Sequence, residues 1–509
     1  MEAAPTTVIE LLGAGAENAA AIAAPGRQAL TFGSLRALVG ETVAALRAMG
    51  IGASDRVAFV LDNGPEAATV FLSVAAGATA APLNPAYRAE EFEFYLSDLG
   101  ARLLVMEASK ESPAAGVAEK LGIPVARFEV ATRAAAGAFR IVGADGAASP
   151  PVDGGRAAPD AVALVLHTSG TTSRPKIVPL RQANVCASAA HVRTALALGP
   201  SDRGLNIMPL FHIHGLIAGV LAPLSAGASV FCCPAFNALK FFGWMAEARP
   251  TWYTAVPTMH QAILSRAARN AGVIAANPLR FIRSSSASLP PQVIRELEEV
   301  FGAPVVEAYG MTEAAHQMAS NPLPPGQRRP GTVGIAAGPQ VCILGLEGGV
   351  APHGTAGEIA IRGPNVMAGY ENNDKANAEA FTGGWFRTGD QGVMDADGYV
   401  TITGRLKEII NRGGEKISPR EVDEVLMDHP AVQQCVTFAV PHDKLGEDVA
   451  VLVVLRDGAA ASQEELRAFV SRRLVDFKVP RVVVFRDEIP KGATGKLQRI
   501  GLAAKLGLA

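Results

Sequence analysis

Between residues 30 and 160, apolar and polar positions follow two periods in turn. From Thr31 the apolar residues recur at helical spacing, which predicts an amphipathic helix running to about Met49. Val57–Leu61 is a short apolar run of the strand type, and Leu103–Met106 is another. Between them Asp62 and Asn63 offer caps for a helix from Pro65 to about Ala76. Such alternation predicts α/β layering with parallel strands. Residues 142–158 are rich in Gly, Ala, Pro and Asp and read as an exposed loop, after which Ala161–Leu166 is wholly apolar, as a buried strand requires.

The middle of the chain repeats one pattern. Met208–Gly215 is apolar with two histidines and a closing glycine. Arg280–Pro290 is a strand emptying into a serine-rich loop, and Val305–Glu313 is a strand followed by an aromatic, a glycine, a threonine and a carboxylate. Strands that each end in a small polar loop point to one crevice at their C-terminal ends, where open α/β sheets bind ligands. From about residue 330 glycine is frequent and strands such as Gly357–Arg362 are short, which predicts a β-rich subdomain.

The texture changes at Thr403–Glu408. Asn411–Ile417 is a polar, glycine-bearing turn, and Ser418, Pro419 and Glu421 form a capping-box pattern at the start of a helix. Val422, Val425, Leu426 and His429 make its inward stripe. Strands are expected near 432–440, 449–455 and 482–485, with a helix near 463–474. The fold class is therefore α/β. A large N-terminal domain, residues 1–403, combines layered α/β subdomains with a β-rich one, and a small α+β domain covers 404–509.

Composition narrows the class. At 509 residues, 49% hydrophobic and 18% charged, the chain is too long for one core. A net charge of −2 leaves no electrostatic footprint for nucleic acid. No apolar run reaches the length that spans a bilayer, and the N-terminus lacks a basic segment followed by an apolar core. The C-terminal Gly507–Ala509 is not a peroxisomal tripeptide. Cys186, Cys232, Cys233, Cys342 and Cys435 have neither metal-ligand spacing nor an even number for a disulfide framework, so a cytoplasmic location is expected.

The candidate chemistry centres on the segment after the apolar strand 161–166. His167–Lys176 carries five hydroxyl side chains, one glycine and two cations. Glycine lets backbone N–H groups approach an anion, hydroxyls donate to phosphate oxygens, and lysine supplies charge. That composition suits a polyphosphate cradle, although Gly170 and Lys176 do not make the Walker A spacing. A second candidate is Lys496, on the glycine-flanked turn Pro490–Lys496.

Six motifs in order carry a resemblance. They are the cradle, Pro209–His212, Tyr309–Glu313, Trp385–Asp390, Gly404–Glu408 and Pro490–Lys496, and in this order the chain resembles the adenylate-forming acyl-CoA synthetase superfamily over essentially its whole length. The resemblance implies that a substrate carboxylate attacks the α-phosphate of ATP, and that coenzyme A then displaces AMP from the acyl-adenylate. It also implies roles. Thr168, Ser169, Gly170, Thr171, Thr172 and Lys176 would hold the β- and γ-phosphates, Thr312 would contact the α-phosphate, and Glu313 would ligate Mg²⁺. Ser286, Ala287, Ser288, Glu307, Ala308 and Tyr309 would surround adenine, and Asp390 and Arg405 would hold the ribose. Lys496 would bridge carboxylate and α-phosphate. The small domain would turn about a hinge at Lys407, bringing Gly413 and Gly414 towards the coenzyme A arm. Ile177 departs from the pattern, since many members have glycine after the loop lysine.

For the acid, Phe281–Leu289, Met208–Leu216, Glu313–His316 and Asn411–Pro419 resemble the subgroup that activates oxalate; Ser285 and the pair Pro290–Pro291 depart from it. A small dicarboxylate keeps its second charge inside the site, where an unpaired charge is costly, so donors or cations must be present. By resemblance His214 and His316 face the acyl group; Ser284, Ser285 and Ser286 are candidate donors, as is Arg283 if it points inward. Malonate, a short monocarboxylate, a 4-coumarate-like acid, or transfer to a carrier protein instead of free coenzyme A remain the alternatives.

Overall fold

The computed structural model describes residues 4–145, 150–152, 154–168, 175–490 and 499–509. Two large sheets form its centre. The seven-stranded sheet runs in the order 140–145, 125–129, 103–107, 56–60, 79–83, 162–167 and 177–181, parallel except at its two edges. The nine-stranded sheet runs 335–336, 316–320, 305–311, 281–284, 252–255, 203–206, 229–232, 20–24 and 27–31, and its five central strands are all parallel.

The helix Pro65–Gly77 packs against strands of both sheets and is buried on every side except at Glu66. Its run of Ala, Val, Phe and Leu has no polar face to offer solvent, which is what a helix between two layers requires. The helix Phe32–Ala48 is amphipathic as its spacing predicts, burying Phe32, Leu35, Leu38, Val39, Thr42, Val43 and Leu46, with the Thr31 hydroxyl accepting from Ser34 N.

Two caps expected from the sequence are not made. Gly64 is the N-cap before Pro65. The Asn63 amide instead accepts from Leu210 N at 2.8 Å and donates to Cys233 O at 3.1 Å, while Asp62 pairs with Lys110. The Ser418 hydroxyl donates to Thr403 O instead of closing a capping box, and Glu421 pairs with Lys478. In both places a long-range partner outcompetes the local bond. The loop expected over 142–158 begins later, because the strand Arg140–Asp145 extends into it.

A third, antiparallel sheet comprises 340–344, 356–362, 381–382, 385–394 and 400–405, the β-rich region. Its last strand pairs Asp390 with Arg405. After the turn 406–408 comes the small α+β unit, whose sheet orders 415–417, 410–412, 446–455 and 432–442, with 482–485 parallel to 446–455. Its helix Pro419–Met427 buries Val422, Leu426 and Met427, with Val425 half-buried. The Gln434 amide donates to Gln261 Oε1 at 2.9 Å, linking this unit to the nine-stranded sheet's helices. Among the described residues no helix is long and apolar enough to cross a membrane.

Candidate active site

Where the parallel strands 252–255, 281–284 and 305–311 end, their loops wall a cavity of about 420 Å³. One side is Ser284, Ser286, Ala287 and Ser288; the floor is Glu307 to Glu313; the facing side is Asp390 and Arg405; Arg420 and Asp423 of the small unit close the top. Thr168, at the end of strand 162–167, also lines it. Segments more than 200 residues apart in sequence thus share one crevice at the strand C-termini.

Three polar groupings meet there. In the first, Asp390 accepts from Tyr309 Oη at 2.5 Å and pairs with Arg405 Nε at 3.0 Å. Burial, followed by the Asp390 charge, pushes the Tyr309 hydroxyl well above its ordinary range, so it stays a donor. Burial works against the Arg405 charge, but the carboxylates of Asp390 and Glu408 outweigh it and hold the guanidinium more firmly protonated than usual.

In the second, the Tyr370 hydroxyl donates to Glu313 Oε1 at 2.8 Å, and the Lys176 ammonium lies 4.3 Å from the Tyr370 ring centroid. Burial raises the Glu313 pKa, with the Tyr370 hydrogen bond and the charges of Arg405 and Lys176 opposing it. Lys176 is tied to the cradle strand by a pair of bonds with Thr168, Thr168 N to Lys176 O at 2.9 Å and Lys176 N to Thr168 Oγ1 at 3.2 Å. Ser169, Gly170, Thr171, Thr172 and Lys496 lie outside the described residues.

The third lies behind the wall. His214 opens an i→i+5 helix, His214–Leu221, and is fully buried. Its ring stacks on His316, centroids 4.9 Å apart and planes at 19°. Arg283, also fully buried, forks across the pair, Nη1 at 3.2 Å from His214 Nε2 and Nη2 at 3.0 Å from His316 Nε2. His214 and His316 do not form the cavity surface themselves; His214 reaches it through Ser286, its Nδ1 lying 3.0 Å from Ser286 Oγ. Ser285 turns inward and donates to Ala308 O at 2.9 Å, because successive strand residues face opposite sides. His316 fits only because Gly310 has no side chain: a Cβ there would lie 1.8 Å from His316 O.

The backbone is strained at this wall. Ser286 has φ +74, Ala315 +46 and His316 +102. Such angles cost on the order of 1–3 kcal/mol each and persist where the surroundings over-determine them. Sequence reasoning missed Tyr370 and the central place of Arg283. The signal for Arg283 is a lone cation inside the apolar strand 281–284.

Residues 13–371 match the family described as AMP-binding enzyme, and residues 421–496 match the AMP-binding enzyme C-terminal domain. The chain is 47% identical over 487 residues to an oxalate–CoA ligase of Arabidopsis thaliana, covering 94% of each chain. It is 39% identical over 478 residues to a sulfoacetate–CoA ligase of Cupriavidus necator, covering 93% of this chain and 92% of that one. Its fold superposes on the crystal structure of ATP-bound MatB from Rhodopseudomonas palustris with a TM-score of 0.86, at 29% identity and 98% coverage of both chains.

Proposed function

The chain belongs to the AMP-binding enzyme family, and from that premise we propose that it is an ATP-dependent acid–CoA ligase whose acid is oxalate. One observation carries the choice of acid. Among the described residues, the fully buried Arg283 has no carboxylate partner, yet it lies one layer behind the cavity wall. A guanidinium left without a counter-ion is costly, and a substrate with a second anionic group supplies one. The sulfoacetate relative suits the same logic, since its substrate also carries a second anionic head.

The reaction has two steps. An oxygen of one substrate carboxylate attacks the α-phosphorus of ATP and pyrophosphate leaves. The coenzyme A thiolate then attacks the acyl carbon and AMP leaves. The nucleophiles belong to the substrates, so the protein's task is to bring anions together and stabilise the charge that develops. The Asp390 carboxylate is suited to the ribose hydroxyls, with Arg405 and Tyr309 holding it in place. Ser286, Ala287, Ser288, Glu307, Ala308 and Tyr309 form the wall proposed for adenine. Lys176 and Thr168, with Ser169, Gly170, Thr171 and Thr172, take the β- and γ-phosphates; Thr312 and Lys496 serve the α-phosphate. Ser284 and Ser286 receive the distal carboxylate, supported by His214 and His316.

Among the described residues no three His, Cys, Asp or Glu side chains converge as a metal cage. A single buried carboxylate, Glu313, oriented by Tyr370, fits Mg²⁺, which takes most of its shell from phosphate oxygens and water. When bound, the ion neutralises phosphate charge. Lys407, exposed in the turn 406–408, is the proposed hinge between residues 1–403 and 404–509. Gly413 and Gly414, at φ +60 and +99, form a tight turn with no side chain to obstruct the coenzyme A arm. The five buried thiols suit a reducing, cytoplasmic compartment.

The test is pyrophosphate release by the purified protein over C1–C6 mono- and dicarboxylates, with and without free coenzyme A. Oxalate should give the highest kcat/KM and oxalyl-CoA as product. A monocarboxylate preference, or product formed only with a carrier protein, would refute this reading.

A further inference from the structure

The three buried groups behind the cavity wall form a directed chain of hydrogen bonds. A guanidinium has only donors to offer. Both imidazole Nε2 atoms that face Arg283, at 3.2 Å for His214 and 3.0 Å for His316, must therefore be acceptors. Each ring then carries its proton on Nδ1. Thr254, the cross-strand partner of Arg283, relays the constraint: its hydroxyl accepts from Arg283 Nη1 at 3.4 Å and, at 2.6 Å, is the nearer donor to the single lone pair of His214 Nε2, with the Arg283 N–H at 3.2 Å the second. His214 Nδ1–H consequently donates to Ser286 Oγ at 3.0 Å. With one lone pair accepting from His214, Ser286 keeps its own proton to donate into the cavity it lines.

We infer that Arg283 is a positioning residue that locks His214 and His316 in the Nδ1–H tautomer, so that the Ser286 proton is left free to face the acid as a donor. The inference rests on the oxalate reading and deepens it, because a wall biased towards donating favours a second anionic group over a neutral or protonated one. Each bond in the chain polarises the next in the same sense, so the buried charge is felt at the cavity without touching the substrate. Gln317 Oε1 at 3.3 Å from Nη2 holds the outer arm of the fork, and among the described residues no acceptor meets the Arg283 Nε–H. Burial pushes the Arg283 pKa down to about 9, which still leaves the group charged at neutral pH.

The test has two arms. In protein labelled with ¹⁵N-histidine, His214 and His316, assigned through H214Q and H316Q, should show a protonated Nδ1 and an unprotonated Nε2 at pH 7. An Nε2–H tautomer or an imidazolium at either ring would overturn the inference. In the second arm, Arg283→Gln should raise the KM for oxalate by about tenfold or more, the usual effect of losing a charge-linked hydrogen bond, with the KM for ATP unchanged. Ser286→Ala should raise the KM for oxalate similarly, and on that readout the double variant should be little worse than either single one. Additive effects would overturn the inference. Arg283→Lys, which keeps the charge but cannot fork, should retain folding and lose the tautomer of at least one ring; if both rings keep their Nδ1 protons, Arg283 is not what sets them. Should the acid panel favour a monocarboxylate while the nitrogen signals stand as stated, the choice of oxalate fails and the tautomer assignment survives.

Discussion

Arg283 and Arg405 approach the same cavity from opposite sides, and their surroundings differ in one respect. Arg405 is half exposed and has its own carboxylate, Asp390, at 3.0 Å. Arg283 is fully buried and, among the described residues, has imidazoles, a hydroxyl and an amide oxygen but no carboxylate. A cation already paired offers a polar but nearly neutral surface, which suits uncharged hydroxyls such as those of ribose. A cation left unpaired in a dry interior favours whatever anion the cavity admits. One fold thus uses the same residue type for two kinds of ligand group, and the neighbouring side chains decide which.

This contrast is open to attack at several points. The largest effect should come from Glu313→Gln, which removes the carboxylate held by Tyr370 and should lower kcat for pyrophosphate release about 100-fold or more. A loss confined to KM would mean that Glu313 only binds. Next, Asp390→Ala should raise the KM for ATP about tenfold and leave the KM for the acid unchanged, read from initial rates with each substrate varied in turn. If the acid KM rises equally, the two arginines do not serve separate ligands. His316→Ala should do the reverse, raising the oxalate KM several-fold with little change for ATP. Equal losses for oxalate and a monocarboxylate would remove His316 from the acid site.

The smallest effect concerns Glu307, the anionic counterpart of Arg283. Burial pushes its pKa up to about 8, partly offset by the Arg420 charge, and among the described residues its Oε2 has no hydrogen-bond partner. Because the folded state favours the protonated carboxyl, its contribution to stability is complete below the ordinary value of 4.5 and is lost as pH rises through about 8. The protein should therefore lose stability between pH 5 and 8.5, a loss that Glu307→Gln abolishes. Parallel stability curves for the two proteins would show that Glu307 titrates normally.

Much of this is legible in the sequence alone. The strands 56–60, 103–107, 162–167, 281–284, 305–311 and 482–485 lie where the apolar runs predict them, and the strand-then-polar-loop pattern located the crevice. Pattern failed at Ser418 and Asn63, where hydroxyl and amide found partners distant in sequence, at Thr403 and Leu210. It also failed to show that Ser285 points away from the cavity.

Local information therefore determined the α/β class, the order of the motifs and the residue types able to meet phosphate, ribose and acid, because period and turn chemistry depend on neighbours along the chain. Only the tertiary structure decided that residues 214, 254, 283, 286 and 316 form one chain of hydrogen bonds. That outcome depends on strand register, on a glycine at 310 that admits the His316 backbone, and on a wide helical turn beginning at His214. None of these is a property of any single segment, since each arises where segments far apart in sequence are pressed together.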